Sequence, residues 1–573
     1  MERKDLAFSR SLGTLLHISS LPSLYGIGNF GKAAYEWVDF LQDAKQSYWQ
    51  ILPLNPTGKG DSPYQSFSAF AGNPYFIDFD ILRDEGLLER GEYADMKWGR
   101  VETLVDFKRV YKYREAVLRK AYVRFADDAA IDEFIASNEW MEQYGLFLII
   151  KKAQRHKPWM QWSEALRARD ADALRKIKAN YAADLRYHAF VQYQFKRQWD
   201  ALHAYANEKG IEIIGDIPIY VSLDSADVWS NPELYQLGAD GYPLEVSGCP
   251  PDSFAKDGQL WGNPLYDWDY LAKTGYLWWL RRLRSSFALY DVLRLDHFRG
   301  LESYFAIPYG AKSAAGGSWR PGPGRDFIDA VKAEMPEARI IAEDLGYLTD
   351  EVRGLLEYSG YPGMKIIQYA FDAREAGDYV PYKYGANSIA YTGTHDNDTI
   401  RGWSRNAPPE CIRDTMEYIG ISHRRDVPNS MIRLTLQTGS NLAVIPMQDW
   451  LGLGGETRMN TPSTVGGRNW RWRMRAADME PKLSESIAAM AAIYGRGAGA
   501  GRTGGDDEDT GRSSGAGRSD DDNGDSDSGD DTTRSSGAGR SDDDNSDSGS
   551  GDDTTRSSGA GRSDDENIVE MGE

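Results

Sequence analysis

Cysteine is scarce in this chain, with two residues, Cys249 and Cys411, among 573. So few thiols exclude a disulfide-built scaffold and point to a reducing, cytoplasmic setting. The opening stretch, Met1-Glu-Arg-Lys-Asp-Leu-Ala, has no apolar core of signal-peptide length. No apolar run of about 18 residues is present to span a membrane. A basic patch is also missing, which argues against a nucleic-acid surface. The sequence contains no His-x-His pair, no His-Glu-x-x-His helix and no glycine-rich phosphate loop opening a helix after a strand. Neither metal nor cofactor is therefore expected, and neither nucleic acid nor membrane is an expected partner.

The net charge of −21 is unevenly placed. Between 501 and 573, 22 acidic residues face 7 arginines, a net of −15, which leaves −6 for residues 1–500. The same stretch is built largely from Gly, Ser, Asp, Arg and Thr. It repeats Arg-Ser-Ser-Gly-Ala-Gly-Arg at 512–518, 534–540 and 556–562, a spacing of 22. Such a composition buries too little apolar surface to offset ordering entropy, so 496–573 is expected to be a disordered tail. Nothing in its sequence names a partner.

Residues 1–495 read differently. Short β-rich runs recur at 13–17, 48–52, 211–216, 291–296, 339–343, 364–369, 388–392 and 441–445. Helical patterns lie between several of them, at 32–44, 277–288, 325–334 and 349–359. Near-continuous apolar runs alternating with amphipathic helices predict a parallel sheet covered on both faces, and eight such units predict a (β/α)8 barrel of α/β class. Two insertions interrupt it: a helical one over 84–210 and a Pro-, Gly- and Trp-rich one over 224–275. Long loops on such a barrel are expected to wall the binding site.

Barrels of this type hold their chemistry at the carboxyl ends of the strands. Strand one ends at His17, strand three at Asp216, and strand four at Asp296-His297. Strand five ends at Glu343-Asp344, and strand seven at His395-Asp396-Asn397-Asp398. Three of the seven histidines fall at these ends, whereas His156, His188, His203 and His423 do not. Arg294 stands two residues before Asp296, so the strand period of two puts both side chains on one face. A cation beside a carboxylate favours its ionised form, and an ionised carboxylate at a strand end can act as a nucleophile. Taken alone, the pair is equally well a packing ion pair. The gathering of acids and histidines at one end favours an active site, and carboxylates without a Cys or Lys nucleophile suggest glycosyl transfer. The 17 Trp and 33 Tyr also offer flat faces on which sugar rings stack.

Three segments then resemble the catalytic motifs of the amylomaltases, or 4-α-glucanotransferases, of the α-amylase clan. They are Arg294-Leu-Asp296-His297-Phe-Arg-Gly, Ala342-Glu343-Asp344-Leu-Gly and Thr392-Gly-Thr-His395-Asp396-Asn-Asp-Thr399. Further likeness lies in Leu16-His-Ile-Ser-Ser-Leu-Pro22, Ser62-Pro-Tyr64-Gln, Gly215-Asp216-Ile-Pro, Gly258-Gln-Leu-Trp261-Gly-Asn-Pro264, Arg458-Met-Asn460-Thr-Pro462 and Asn469-Trp-Arg-Trp472. The segment from Pro250-Pro-Asp to Pro264 is similar to that family's substrate loop, and the likeness covers about residues 10–494. The resemblance implies that Asp296 is the nucleophile, Glu343 the acid and base, and Asp396 the carboxylate that holds the sugar at the cleavage point. Arg294 would keep Asp296 ionised, and His297 and His395 would bond the same sugar. Tyr64, Asp216, Gln259, Trp261 and Asn460 would contact flanking glucose units. Malto-oligosaccharides and α-1,4-glucans are the implied partners. A hydrolase of the same clan, or a glycan-binding protein without catalysis, are the alternatives.

Overall fold

The computed structural model describes residues 8–251, 257–346, 348–372 and 379–498. Twelve strands are described: β1 (Ser11–Leu15), β2 (Tyr48–Gln50), β3 (Glu212–Ile217), β4 (Glu245–Cys249), β5 (Gln259–Pro264), β6 (Val292–Leu295), β7 (Ser303–Pro308), β8 (Ser318–Pro321), β9 (Ile340–Ala342), β10 (Gly363–Ile366), β11 (Ser388–Tyr391) and β12 (Leu442–Pro446). Eight of them close a barrel in the order β1-β12-β11-β10-β9-β6-β3-β2, with every pairing parallel. These eight are the runs predicted from the sequence, and the fold is a (β/α)8 barrel.

The strands form because both of their faces are covered. All residues of β1, β6, β11 and β12 are buried. The helices between strands turn apolar stripes toward the sheet. Lys32–Asp43 buries Ala34, Trp37, Val38, Phe40 and Leu41, each large side chain contributing about 1.5–3 kcal/mol. Local chemistry fixes where helices start and stop. Asp350–Ser359 begins on Thr349, whose hydroxyl accepts from Val352 N at 3.4 Å, and ends on Gly360 at φ 71°. Gly215 in β3 has another constraint, since a Cβ there would lie 2.2 Å from the Tyr290 ring.

Between β2 and β3 the chain forms further helices, including Phe107–Arg124, Asp128–Ser137, Trp140–Ala153 and the long Ala182–Glu208. The second insertion holds more regular structure than its Pro- and Gly-rich composition suggests. β4 and β5 follow β3, and β7 and β8 follow β6. Together they make an antiparallel sheet in the order β5-β4-β7-β8. Tyr304 and Ala306 from this sheet join the main core, while Val246, Phe305 and Ile307 cluster separately with Ala314.

Arg496, the first residue of the expected tail, is instead buried beneath the barrel. Its guanidinium donates to the carbonyls of Leu436, Ser11, Asn441, Thr438 and Ser440 at 2.7–3.1 Å, and Ala498 N donates to Lys45 O at 2.8 Å. From 499 onward the expected tail lies outside the described residues, as does 252–256 of the similarity to a substrate loop.

Candidate active site

β3 and β6 are neighbours, with Asp216 in register with Arg294. This register places a buried acid beside a buried base at the carboxyl rim. Arg294 Nη1 donates to both oxygens of Asp216, at 2.8 and 2.7 Å, and to Asp296 Oδ1 at 2.9 Å. Tyr64 OH donates to Asp216 Oδ2 at 2.6 Å. One guanidinium nitrogen is therefore shared by two carboxylates, a division that inspection of the Arg294–Asp296 spacing does not reveal. The barrel interior beside it is also polar, with Tyr391 OH donating to Gln50 Oε1 at 2.9 Å.

β6 ends in a sharp turn. Asp296 N donates to Ile217 O at 3.1 Å, and the next residue, His297, takes the left-handed conformation at φ 49°, ψ 50°. For a non-glycine residue this is a strained geometry of the kind found where backbone groups are aimed for function. Here it turns His297 N toward Glu343, whose Oε2 accepts at 2.7 Å. Phe298 N bonds Glu343 O at 3.0 Å. Asp296 and Glu343 are thereby tied to one turn although they come from different strands.

The loop after β11 brings the third carboxylate. Asn460 Nδ2 donates to Asp396 Oδ1 at 2.6 Å, Asn460 N donates to His395 O at 2.9 Å, and Arg458 donates to the backbone oxygen of Asp396. The His395 ring stacks on Tyr64 at 5.2 Å, with Trp470 packed against both. Trp470 is itself left-handed at φ 65°. From the second sheet, Trp261 sets its ring edge-on to His297 at 4.8 Å and donates to Gln259 Oε1 at 3.1 Å. All eleven residues singled out from the sequence thus join one connected cluster. His156, His188, His203 and His423 stand on or beside helices away from it. His17 and His395 both line a cavity of about 30 Å³, which is room for about one water.

Burial governs the electrostatics. It pushes Asp296 up to about 7, against the pull of Arg294 and with help from Asp216 and Asp396. Its side chain is nonetheless 29 % exposed to the cleft, so a ligand can reach it. Glu343 is raised well above the usual carboxylate range, again by burial first; Arg294 opposes the rise and Asp296 adds to it. Both carboxyls are thus lifted out of their ordinary range, and burial is the first cause for each. Burial also drives His17 and His297 down to about 3, so both rings are neutral. Among the described residues no cluster of His, Cys, Asp and Glu is arranged to hold a metal ion.

Three contributors escaped the sequence reading. Arg458 lies in a quoted motif, two residues before Asn460, but its bond to the Asp396 backbone is not legible there. Trp470 likewise sits in a quoted motif without a role. Asp449 carries no local signal at all, yet its carboxylate accepts from Thr392 Oγ1 at 2.6 Å and from Ile400 N at 2.8 Å. It therefore pins both ends of the loop that carries His395 and Asp396.

A barrel rim that ties two carboxyls of raised pKa to one turn, with a third carboxylate brought in by the loop after β11, is equipped to break and remake glycosidic bonds, and this places the chain among the carbohydrate-active (β/α)8 enzymes. A family profile described as 4-alpha-glucanotransferase matches residues 16–479. The chain is 46 % identical over 486 residues to the 4-alpha-glucanotransferase of Clostridium butyricum, covering 84 % of this chain and 100 % of that protein. It is 47 % identical to that of Streptococcus pneumoniae, covering 85 % of this chain and 97 % of that one. The amylomaltase of Streptococcus agalactiae, solved in complex with acarbose, superposes with a TM-score of 0.83 at 40 % identity, covering 85 % of this chain and 100 % of that one. The chain belongs to the 4-alpha-glucanotransferase family.

Proposed function

We propose that this 4-alpha-glucanotransferase works by a double displacement centred on Asp296. Asp296 attacks the anomeric carbon of an α-1,4-glucan while Glu343 donates its proton to the departing 4-oxygen. A β-linked glycosyl-enzyme forms and the reducing-end fragment leaves. Glu343, now a carboxylate, then takes the proton from the 4-hydroxyl of glucose or a malto-oligosaccharide, which displaces Asp296 and restores the α-linkage. The observation that carries this reading is the turn at His297, which ties the acid/base directly to the residue after the nucleophile.

The flanking groups follow from their chemistry. Asp396, held by Asn460, accepts hydrogen bonds from the hydroxyls of the sugar at the cleavage point. His297 Nε2 is buried without a protein partner, and a sugar hydroxyl would satisfy it. His395 and Tyr64 present a stacked pair to the same ring, and Gln259 and Trp261 meet flanking glucose units. Trp261 excludes water from the intermediate, so sugar competes for it in preference. Segments 84–210 and 224–275 are read as the walls of the cleft. We assign the reaction to the cytoplasm, because two cysteines in 573 residues suit a reducing compartment.

Incubation with maltotriose alone tests the reaction. Transfer yields glucose together with chains longer than maltotriose, with the α-configuration retained. Glucose and maltose without longer chains would make the protein a hydrolase. Asp296→Asn is expected to abolish turnover of maltotriose, and a variant that still turns it over would exclude Asp296 as the nucleophile.

A further inference from the structure

The seam of the barrel next to Glu343 is its thinnest. β9 and β10 are in register at a single pair, Gly363 with Ala342, whereas β10 and β11 run in register over their whole length. Ala342 N still donates to Pro362 O at 2.9 Å. Beyond that point the main-chain ladder stops and a side chain takes over: Asp344 Oδ1 accepts from Met364 N at 2.6 Å. Gly363 passes so close that a Cβ there would lie 2.5 Å from Asp344 Oδ2. On the other side Lys365 Nζ stands 3.8 Å from the same oxygen. Asp344 is only 2 % exposed, too deep to meet a sugar, and it is the residue immediately after Glu343.

We propose that Asp344 is a positioning residue for the transfer reaction: its carboxylate continues the β9–β10 ladder and so fixes the peptide that carries Glu343. The proposal rests on the reading of Glu343 as the acid/base. Without the clamp, the Glu343 peptide is held from the β6 side only, where Glu343 N donates to Leu295 O and Glu343 O accepts from Phe298 N, each at 3.0 Å. The carboxyl then shifts against the departing oxygen, and a misplacement of about 1 Å costs up to about 100-fold in rate.

Asp344 also acts through its charge. The groups facing Glu343 are Arg294 and Asp296 from the β6 side and Asp344 from its own segment. Those facing Asp344 are Lys365 from β10 and Arg353 from the helix Asp350–Ser359. A carboxylate beside Glu343 favours its protonated form, so neutralising Asp344 makes Glu343 more acidic.

The test compares two donors in the full chain. Maltotriose needs proton transfer at both steps. α-Maltosyl fluoride with azide as acceptor needs none, because fluoride leaves and azide attacks as anions. Asp344→Asn should lower kcat on maltotriose by about 10- to 100-fold with KM nearly unchanged, spare the fluoride–azide reaction, and move the basic limb of the pH profile to lower pH. Gly363→Ala, which crowds the same carboxylate from β10, should show the same split between donors and serves where Asp344→Asn does not fold. Equal losses on both donors, or a basic limb that stays in place in Asp344→Asn, overturn the proposal. Glu343→Ala is the control for the underlying reading. Rescue of this variant by fluoride and azide upholds the acid/base role, and absence of rescue removes that role and the proposal with it.

Discussion

At Asp296 two effects oppose each other, and their balance sets the working pH. Arg294 draws the carboxyl down, but it also serves Asp216, and burial wins to leave Asp296 near 7. The nucleophile must be ionised, so kcat/KM should fall as pH drops through about 7. At high pH it should fall again as Glu343 loses its proton; a pH–rate profile checks both limbs. Stability has the opposite sign. The folded state binds this proton more tightly than the unfolded chain, whose carboxyl sits near 3.8. The stability this group contributes is therefore present below about 4 and is lost as pH rises to about 7. Asp296→Asn should accordingly raise Tm at pH 8, with the gain shrinking below pH 4. Arg294→Met removes the cation that serves both Asp216 and Asp296 and should cost about 3–5 kcal/mol in a denaturant titration, because it leaves buried charge uncompensated.

The barrel strands are legible in the sequence because each is apolar on both faces, and the rim residues are legible because they interrupt those runs with charge. The strands of the second sheet are not. β8 is exposed throughout and β5 is largely half-exposed, so neither shows the burial pattern that marks a strand. The loop from Thr392 to Ile400 shows a further limit of sequence reading. Its own residues announce the chemistry, but the clamp that shapes it, Asp449, comes from beyond β12 and has meaning only once the barrel closes. Asp449→Ala leaves Thr392 Oγ1 and Ile400 N without their acceptor. It should cost on the order of 2–4 kcal/mol and lower kcat more than KM rises, as measured by urea unfolding and steady-state kinetics.

For the molecule as a whole, the charge asymmetry and the buried Arg496 mark where the enzyme can be cut. A chain ending at residue 498 keeps Arg496 and its five carbonyl partners and should retain full activity on maltotriose. A chain ending at 495 loses them and should unfold at lower urea, by on the order of 2–3 kcal/mol. The most direct measurement is to trap the covalent intermediate. A fluorinated α-glycosyl fluoride that forms the glycosyl-enzyme quickly and releases it slowly should leave one sugar adduct per chain. After proteolysis the added mass should sit on the peptide containing Asp296 and be absent from Asp296→Asn. An adduct on another residue, or turnover that inverts the anomeric configuration with no adduct at all, would contradict the double displacement.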